Sequence, residues 1–488
     1  MHHRKSISVV LFAALALGRG WAQDNSAQQP ASNDTQTRTE PAPALGPAPV
    51  SEQLDENPPI SGLDQPSLEP RTASRSFLLP GVLVSQSLDS NVGGSVGNTA
   101  IHGVTRGVGT LTLERLWSHY ATALDYLGGG AFFSGGGREG ALIQELQAYQ
   151  RISWRTGQLS IRDSFSYLPE GSFGYGAYGG AGSYQSAIGP GTSGGLSGGG
   201  FGGGGFFGGG QFGSLGQDPR ITNVALAEVI QALTPRSSVT AAGAYSFTHY
   251  TDNSVQVNGT QTQLINSRQI SAEGAYNYQL GRHDQVGILY GFQHFQFPVL
   301  NSGDFTTHIF HLLYGHRISG RMDLILSGGP QLIILNSASA GNTRQLSGSG
   351  RASLRYRLRR GAVTLSYSRF TTSGSGFFLG ATSDVARVSL THPLSRQWNA
   401  IADVGYAHNS QIQPGGAVTT ANSYGYVYAG GAVHRKLGRS FSVFLSYQFN
   451  DLAFANSFCA TTVPCNRTSQ RHVVTAGLGW HPHPIRLD

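Results

Sequence analysis

The stretch RASLRYRLRR, residues 351 to 360, sets Arg351, Ser353, Arg355, Arg357 and Arg359 on one side of an extended chain. Ala352, Leu354, Tyr356 and Leu358 fall on the other side, because successive side chains of a strand alternate faces. Guanidinium groups that share a face attract anions, and rings of like charge in a pore select ions by sign. The same alternation in other segments adds Arg151, Arg155, Arg162 and Arg387 to the polar face, with Glu114, Asp125, Glu145, Glu273, Asp323 and Asp403 as acids on it. Two functions fit such a set. The arginines either give selectivity for anionic solutes or pair with the acids and stiffen a wall.

Other chemistry is sparse. Cys459 and Cys465 stand six apart in a polar segment, and in an oxidising compartment the expected product is a local disulfide. His481 and His483 sit between prolines at the end of the chain, where a solvated tail is expected and no metal site. His308, His311 and His316 have mixed strand parities and do not converge. No G-x-S-x-G elbow or comparable nucleophile signature occurs, so no catalytic residue, cofactor or enzymatic activity is expected. Basic residues are spread among turns and inward faces instead of gathered in one run, which argues against nucleic acid.

The elements that position these residues follow from composition and pattern. The chain opens MHHRKSISVVLFAALALGRGWA, a basic start, an apolar run and a small-residue site; residues 1 to 22 read as a secretory signal peptide. Residues 23 to 75 are rich in Pro, Ser, Gln and acid, with 8 acidic and 3 basic residues, and are expected to be a disordered periplasmic segment. Residues 76 to 488 instead hold 27 basic and 18 acidic residues. Charged residues make up only 12% of the chain, well below the usual quarter of a soluble domain, so its solvent is expected to be partly hydrocarbon.

After residue 76 about eighteen segments of strand-like content follow one another, many with period-two alternation. They lie near 79–90, 106–118, 120–134, 141–155, 157–168, 220–234, 237–251, 264–281, 283–297, 303–319, 321–336, 344–359, 361–373, 382–395, 397–411, 422–438, 440–454 and 470–481. Their connections alternate between tight turns and long, irregular loops, the mark of an up-and-down barrel with unlike rims. This pattern resembles the bacterial outer-membrane β-barrel, porin-like superfamily. The resemblance implies an all-β transmembrane antiparallel barrel of 16 to 18 strands with short periplasmic turns and long extracellular loops. It also implies outer-membrane lipids as surroundings. In the last strand, HVVTAGLGW, Thr475, Gly477 and Trp480 resemble the signal read by the barrel-insertion machinery, although HPHPIRLD extends beyond the terminal aromatic. Aromatics near segment ends (Trp117, Tyr120, Trp154, Tyr167, Tyr250, Tyr290, Tyr314, Tyr424, Tyr426, Trp480) suit interfacial girdles.

One loop stands apart. Residues 169 to 219 join the fifth and sixth strands, and from 171 to 217 they contain 22 glycines and 8 aromatics. Phe201, Phe206, Phe207 and Phe212 are the candidates for a constriction folded into the mouth; a flexible surface loop is the alternative. The function expected is a porin-like passive channel for small polar or anionic solutes. Export of an acidic exopolysaccharide and a plugged surface or adhesion scaffold are the other two readings.

Overall fold

The computed structural model describes residues 76–92, 100–134, 140–168, 220–251, 264–298, 303–337, 341–374, 376, 378–413, 422–455 and 467–487. It also describes the short paired segments 63–64, 211–212, 254–257 and 260–263. The signal-peptide expectation, nearly all of segment 23–75, most of loop 169–219 and the cysteine pair lie outside the described residues.

Eighteen strands form one closed antiparallel barrel. The first six are β1 (Phe77–Asp89), β2 (His102–Leu116), β3 (Tyr120–Phe133), β4 (Ala141–Trp154), β5 (Gly157–Leu168) and β6 (Arg220–Thr234). Then come β7 (Ser237–Tyr250), β8 (Ser267–Gln279), β9 (Asp284–Gln296), β10 (Phe305–Ser319), β11 (Met322–Ser337) and β12 (Gly341–Leu358). The circuit ends with β13 (Gly361–Thr372), β14 (Ala381–Pro393), β15 (Trp398–Gln411), β16 (Ser423–Leu437), β17 (Phe441–Phe454) and β18 (Thr468–Trp480). Every segment expected from alternation is a strand, with ends differing by a few residues. That includes 220–234, whose mixed phase resolves once Glu228 points inward.

Neighbouring strands pair in sequence order, and β18 closes the ring on β1 from Val82↔Trp480 to Asp89↔Val473. Pro482 and Pro484 have no N–H to donate, so the ladder lapses there. It resumes with Ile485 and Arg486 opposite Leu78 and Phe77. The tail expected to be solvated is therefore partly an added rung of the closing seam.

Burial is inverted relative to a soluble protein. Outward Leu346 is 74% exposed and Leu312 72%, whereas inward Asp89 and Asp403 are 0% exposed. Apolar side chains face hydrocarbon and polar ones face the interior, since a spanning sheet must satisfy its backbone by closing on itself. This arrangement is that of a bacterial outer-membrane barrel.

Trp117, Tyr120, Trp154, Tyr290, Tyr314 and Trp480 are exposed large aromatics, as a girdle requires. Tyr250, Tyr424 and Tyr426 are not girdle residues. They share the inward parity of Thr248 and Tyr428 and are buried at 2%, 1% and 0% exposure.

Candidate functional site

The long-loop mouth of the barrel is bridged by the connection between β13 and β14. The stretch TSGSGFFLG, residues 372 to 380, turns inward, and its Thr372, Ser373, Phe378 and Leu379 are buried. Backbone bonds hold it on itself, from Phe378 N to Gly374 O at 3.2 Å and from Gly380 N to Ser373 O at 3.3 Å. Two more tie it to its surroundings. Ile265 N donates to Gly376 O at 3.0 Å, and Ile412 N donates to Gly380 O at 3.2 Å.

Glycine is required at three of these positions. Gly374 has φ +90°, and a Cβ there would collide with the Phe378 carbonyl oxygen. Gly376 has φ +81°, and a Cβ there would lie 2.8 Å from the Tyr250 hydroxyl. Gly380 has φ +82° and lies against the Phe305 ring. Phe378 meets Tyr424 with ring centroids 5.6 Å apart. Tyr250 belongs to β7 and Tyr424 to β16, nine strands apart in a ring of eighteen, so this strap connects opposite walls. Beneath and beside it Ile265, Phe295, Phe297, Phe305, Ile333, Leu379 and Ile412 form one apolar cluster. Residues 264–266, expected as the start of a strand, do not pair into β8; Leu264, Ile265 and Asn266 are buried at the mouth instead.

Sequence reasoning assigned the constriction to the glycine-rich loop. Of its candidates, Phe201, Phe206 and Phe207 lie outside the described residues, and Phe212 is described only by its backbone ladder with Leu63. The strap carries a fainter signal of the same kind, glycines beside Phe378 and Leu379 in a long-loop position.

Below the mouth the inward face mixes charged and polar side chains with buried apolar clusters such as Leu289 with Leu313 and Ile401 with Phe444. Arg151 lies on it, half-buried, opposite Ser160 of β5. Arg162 meets Glu228 at 2.8 Å, with both side chains 5% exposed. On the far wall Arg351, Arg355 and Arg357 line β12 and Arg387 lines β14. Arg357 reaches Asp323 at 3.0 Å and Arg387 reaches Asp403 at 3.0 Å. Arg155 does not join them: β4 ends at Trp154, and Arg155 is exposed in the tight turn beyond it. Glu114, Asp125, Glu145 and Glu273 all have inward parity.

Two further sets escaped sequence reasoning. Arg471 of β18 chelates Asp89 of β1, its Nε lying 2.9 Å from each carboxylate oxygen. Arg106 donates to Ser87 at 2.7 Å, and Ser87 bonds Thr475 at 2.9 Å. The signal was the alternation Ser85, Ser87, Asp89, which places an acid on the inward face of the first strand.

The charges are unevenly distributed around the ring. Glu114, Asp125 and Glu145 lie on β2, β3 and β4, while Arg351, Arg355 and Arg357 lie on β12, nine strands from β3. Arg106 and Arg151 stand among those acids on β2 and β4, so the two walls differ in degree of charge.

No protein-family model and no curated protein sequence matches the chain. Among solved structures it is similar to OccK2 (OpdF) of Pseudomonas aeruginosa, at 10% identity and TM-score 0.42, covering 83% of this chain and 99% of that one. OpdK of the same organism has 11% identity and TM-score 0.38, over 83% of this chain and 98% of that one. The ferric-catecholate import receptor Fiu of E. coli K12 has 10% identity and TM-score 0.39, over 85% and 82%. The closed ladder, the apolar outer face and the inward charged residues between unlike rims make this chain an eighteen-stranded antiparallel barrel with the fold of an outer-membrane protein.

Proposed function

We propose that the protein is a passive channel for small polar solutes, that it favours anionic ones, and that the strap at residues 373–380 sets its exclusion limit. The observation that carries the reading is a polar, charged inner wall beneath a mouth bridged from β7 to β16. A barrel of this strand number is wide enough for an aqueous channel unless loops fill it. Arg351, Arg355, Arg357 and Arg387 outnumber Asp323 and Asp403 on the β11–β15 wall, which supports a local preference for negative charge. Arg151 and Arg162 contribute less, because Arg162 pairs with Glu228 and Glu145 shares the inward face of β4 with Arg151. Passage is down a gradient, with no reaction or cofactor.

Loop 169–219 leaves the barrel beside β4, whose Ile143 belongs to a buried apolar patch with Val104, Val108, Leu127 and Phe133. This patch would seat Phe201, Phe206, Phe207 or Phe212 as a second element of the constriction. The bridged mouth also favours one competing reading, a plugged scaffold that acts through its loops.

Conductance and reversal potential in planar bilayers under a salt gradient test both. Anion-selective current is expected from the intact chain, larger when residues 373–380 are replaced by a tight turn. R351Q/R355Q is expected to shift the reversal potential toward cations. Silence in the intact chain and in the strap replacement would exclude the channel and leave the scaffold.

A further inference from the structure

The tight turns carry charge that the channel does not use. Arg155, Arg236, Arg282, Arg321, Arg360, Arg396 and Arg439 stand in seven different turns, all exposed, and Arg359 adds a second arginine to the turn of Arg360. The eighth, between β2 and β3, has His119 and follows Arg115. No Asp or Glu occurs in any of the eight. The nearest acids already have partners: Asp284 accepts from Tyr314 at 2.8 Å and contacts His316 at 2.7 Å, and Asp323 holds Arg317 and Arg357.

Two more arginines fix the level of this crown. Arg115 lies 4.7 Å over the Trp117 ring and Arg435 lies 5.2 Å over the Trp398 ring. Both arginines have outward parity, and their tryptophans, Trp117 after β2 and Trp398 at the start of β15, are exposed beside tight turns at the same rim. Interfacial aromatics sit at headgroup depth, so guanidiniums stacked on them stand level with lipid phosphates.

We infer that the periplasmic rim is a binding surface for the phosphates of anionic glycerophospholipids in the inner leaflet of the outer membrane. A guanidinium matches phosphate by two parallel N–H donors and keeps its charge at any physiological pH. Clustered arginines at a membrane surface favour anionic over zwitterionic headgroups, because the ammonium of a zwitterion cancels the attraction. A ring of such sites with no acid between them gathers a collar of anionic lipid. This inference is independent of whether the lumen conducts.

The test uses the full chain folded into vesicles of phosphatidylethanolamine with a minority of phosphatidylglycerol, gently extracted, with retained lipids counted by mass spectrometry. The retained pool is expected to be enriched in phosphatidylglycerol severalfold over the bulk. The seven-fold Arg→Gln variant at the turns is expected to return it to the bulk ratio, and R115Q/R435Q to lower it in part. Heat-modifiable migration on gels reports that each variant is inserted. Should the seven-fold variant not insert, R236Q/R282Q/R321Q reads the same ratio and is expected to lose part of the enrichment. No enrichment in the parent chain, or equal enrichment in the inserted variants, would overturn the inference. Loss of enrichment to millimolar inorganic phosphate at constant ionic strength would overturn it too, as the sites would then be general anion sites.

Discussion

Arg162 and Asp163 are neighbours in sequence that face opposite surroundings. Arg162 points into the lumen and meets Glu228, both nearly fully buried. Asp163 lies midway along the 12-residue β5 on the outer face, its carboxylate met by the Asn223 amide at 3.2 Å. Removing one member of a buried pair leaves an uncompensated charge and costs about 3–5 kcal/mol, whereas replacing both with apolar groups is often near neutral. R162L is therefore expected to lose about 3–5 kcal/mol, and R162L/E228L to recover most of it. A charge on the lipid face acts the other way, and D163L is expected to gain up to about 2 kcal/mol. Urea unfolding from vesicles, followed by tryptophan fluorescence, reads all three. A loss in D163L would mean that something other than lipid covers that face.

Among the elements, the strands and the strap answer to different physics. A strand inherits its orientation from a two-residue period, so alternation alone located all eighteen and turned Arg151, Arg162, Arg351, Arg355, Arg357 and Arg387 inward. Arg155 was misplaced because parity was carried one residue past the end of β4. Tyr250, Tyr424 and Tyr426 were misread because a position near a strand end does not say which face a ring takes. The strap has no period at all. Its place depends on contacts with β7 and β16, more than a hundred residues away in the case of Tyr250, and on three glycines with positive φ. G376L puts a side chain where the backbone is left-handed and Tyr250 leaves no room. It is expected to loosen the strap, raising single-channel conductance while leaving the unfolding midpoint nearly unchanged. Unchanged conductance would mean that the narrowest point lies elsewhere.

At the scale of the whole molecule, the first and last strands of the barrel are welded together. The β18–β1 ladder, the Arg471–Asp89 chelate and the rung at Ile485–Arg486 all cross one seam. Deleting residues 481–488 removes only the last of these and is expected to speed unfolding while leaving conductance unchanged, read by unfolding kinetics and bilayer recording on the same preparation. The seam also fixes the timetable of assembly. Asp89 and Arg471 are 382 residues apart, and contacts of such separation form late. A chain exported from its amino end delivers β1 first and its partner last. For the whole of that interval β1 presents a row of unpaired donors and acceptors able to template a wrong neighbour. Successful production of this barrel is therefore a race between delivery of the final strand and capture of the first, and it is lost by delay before any question of stability arises.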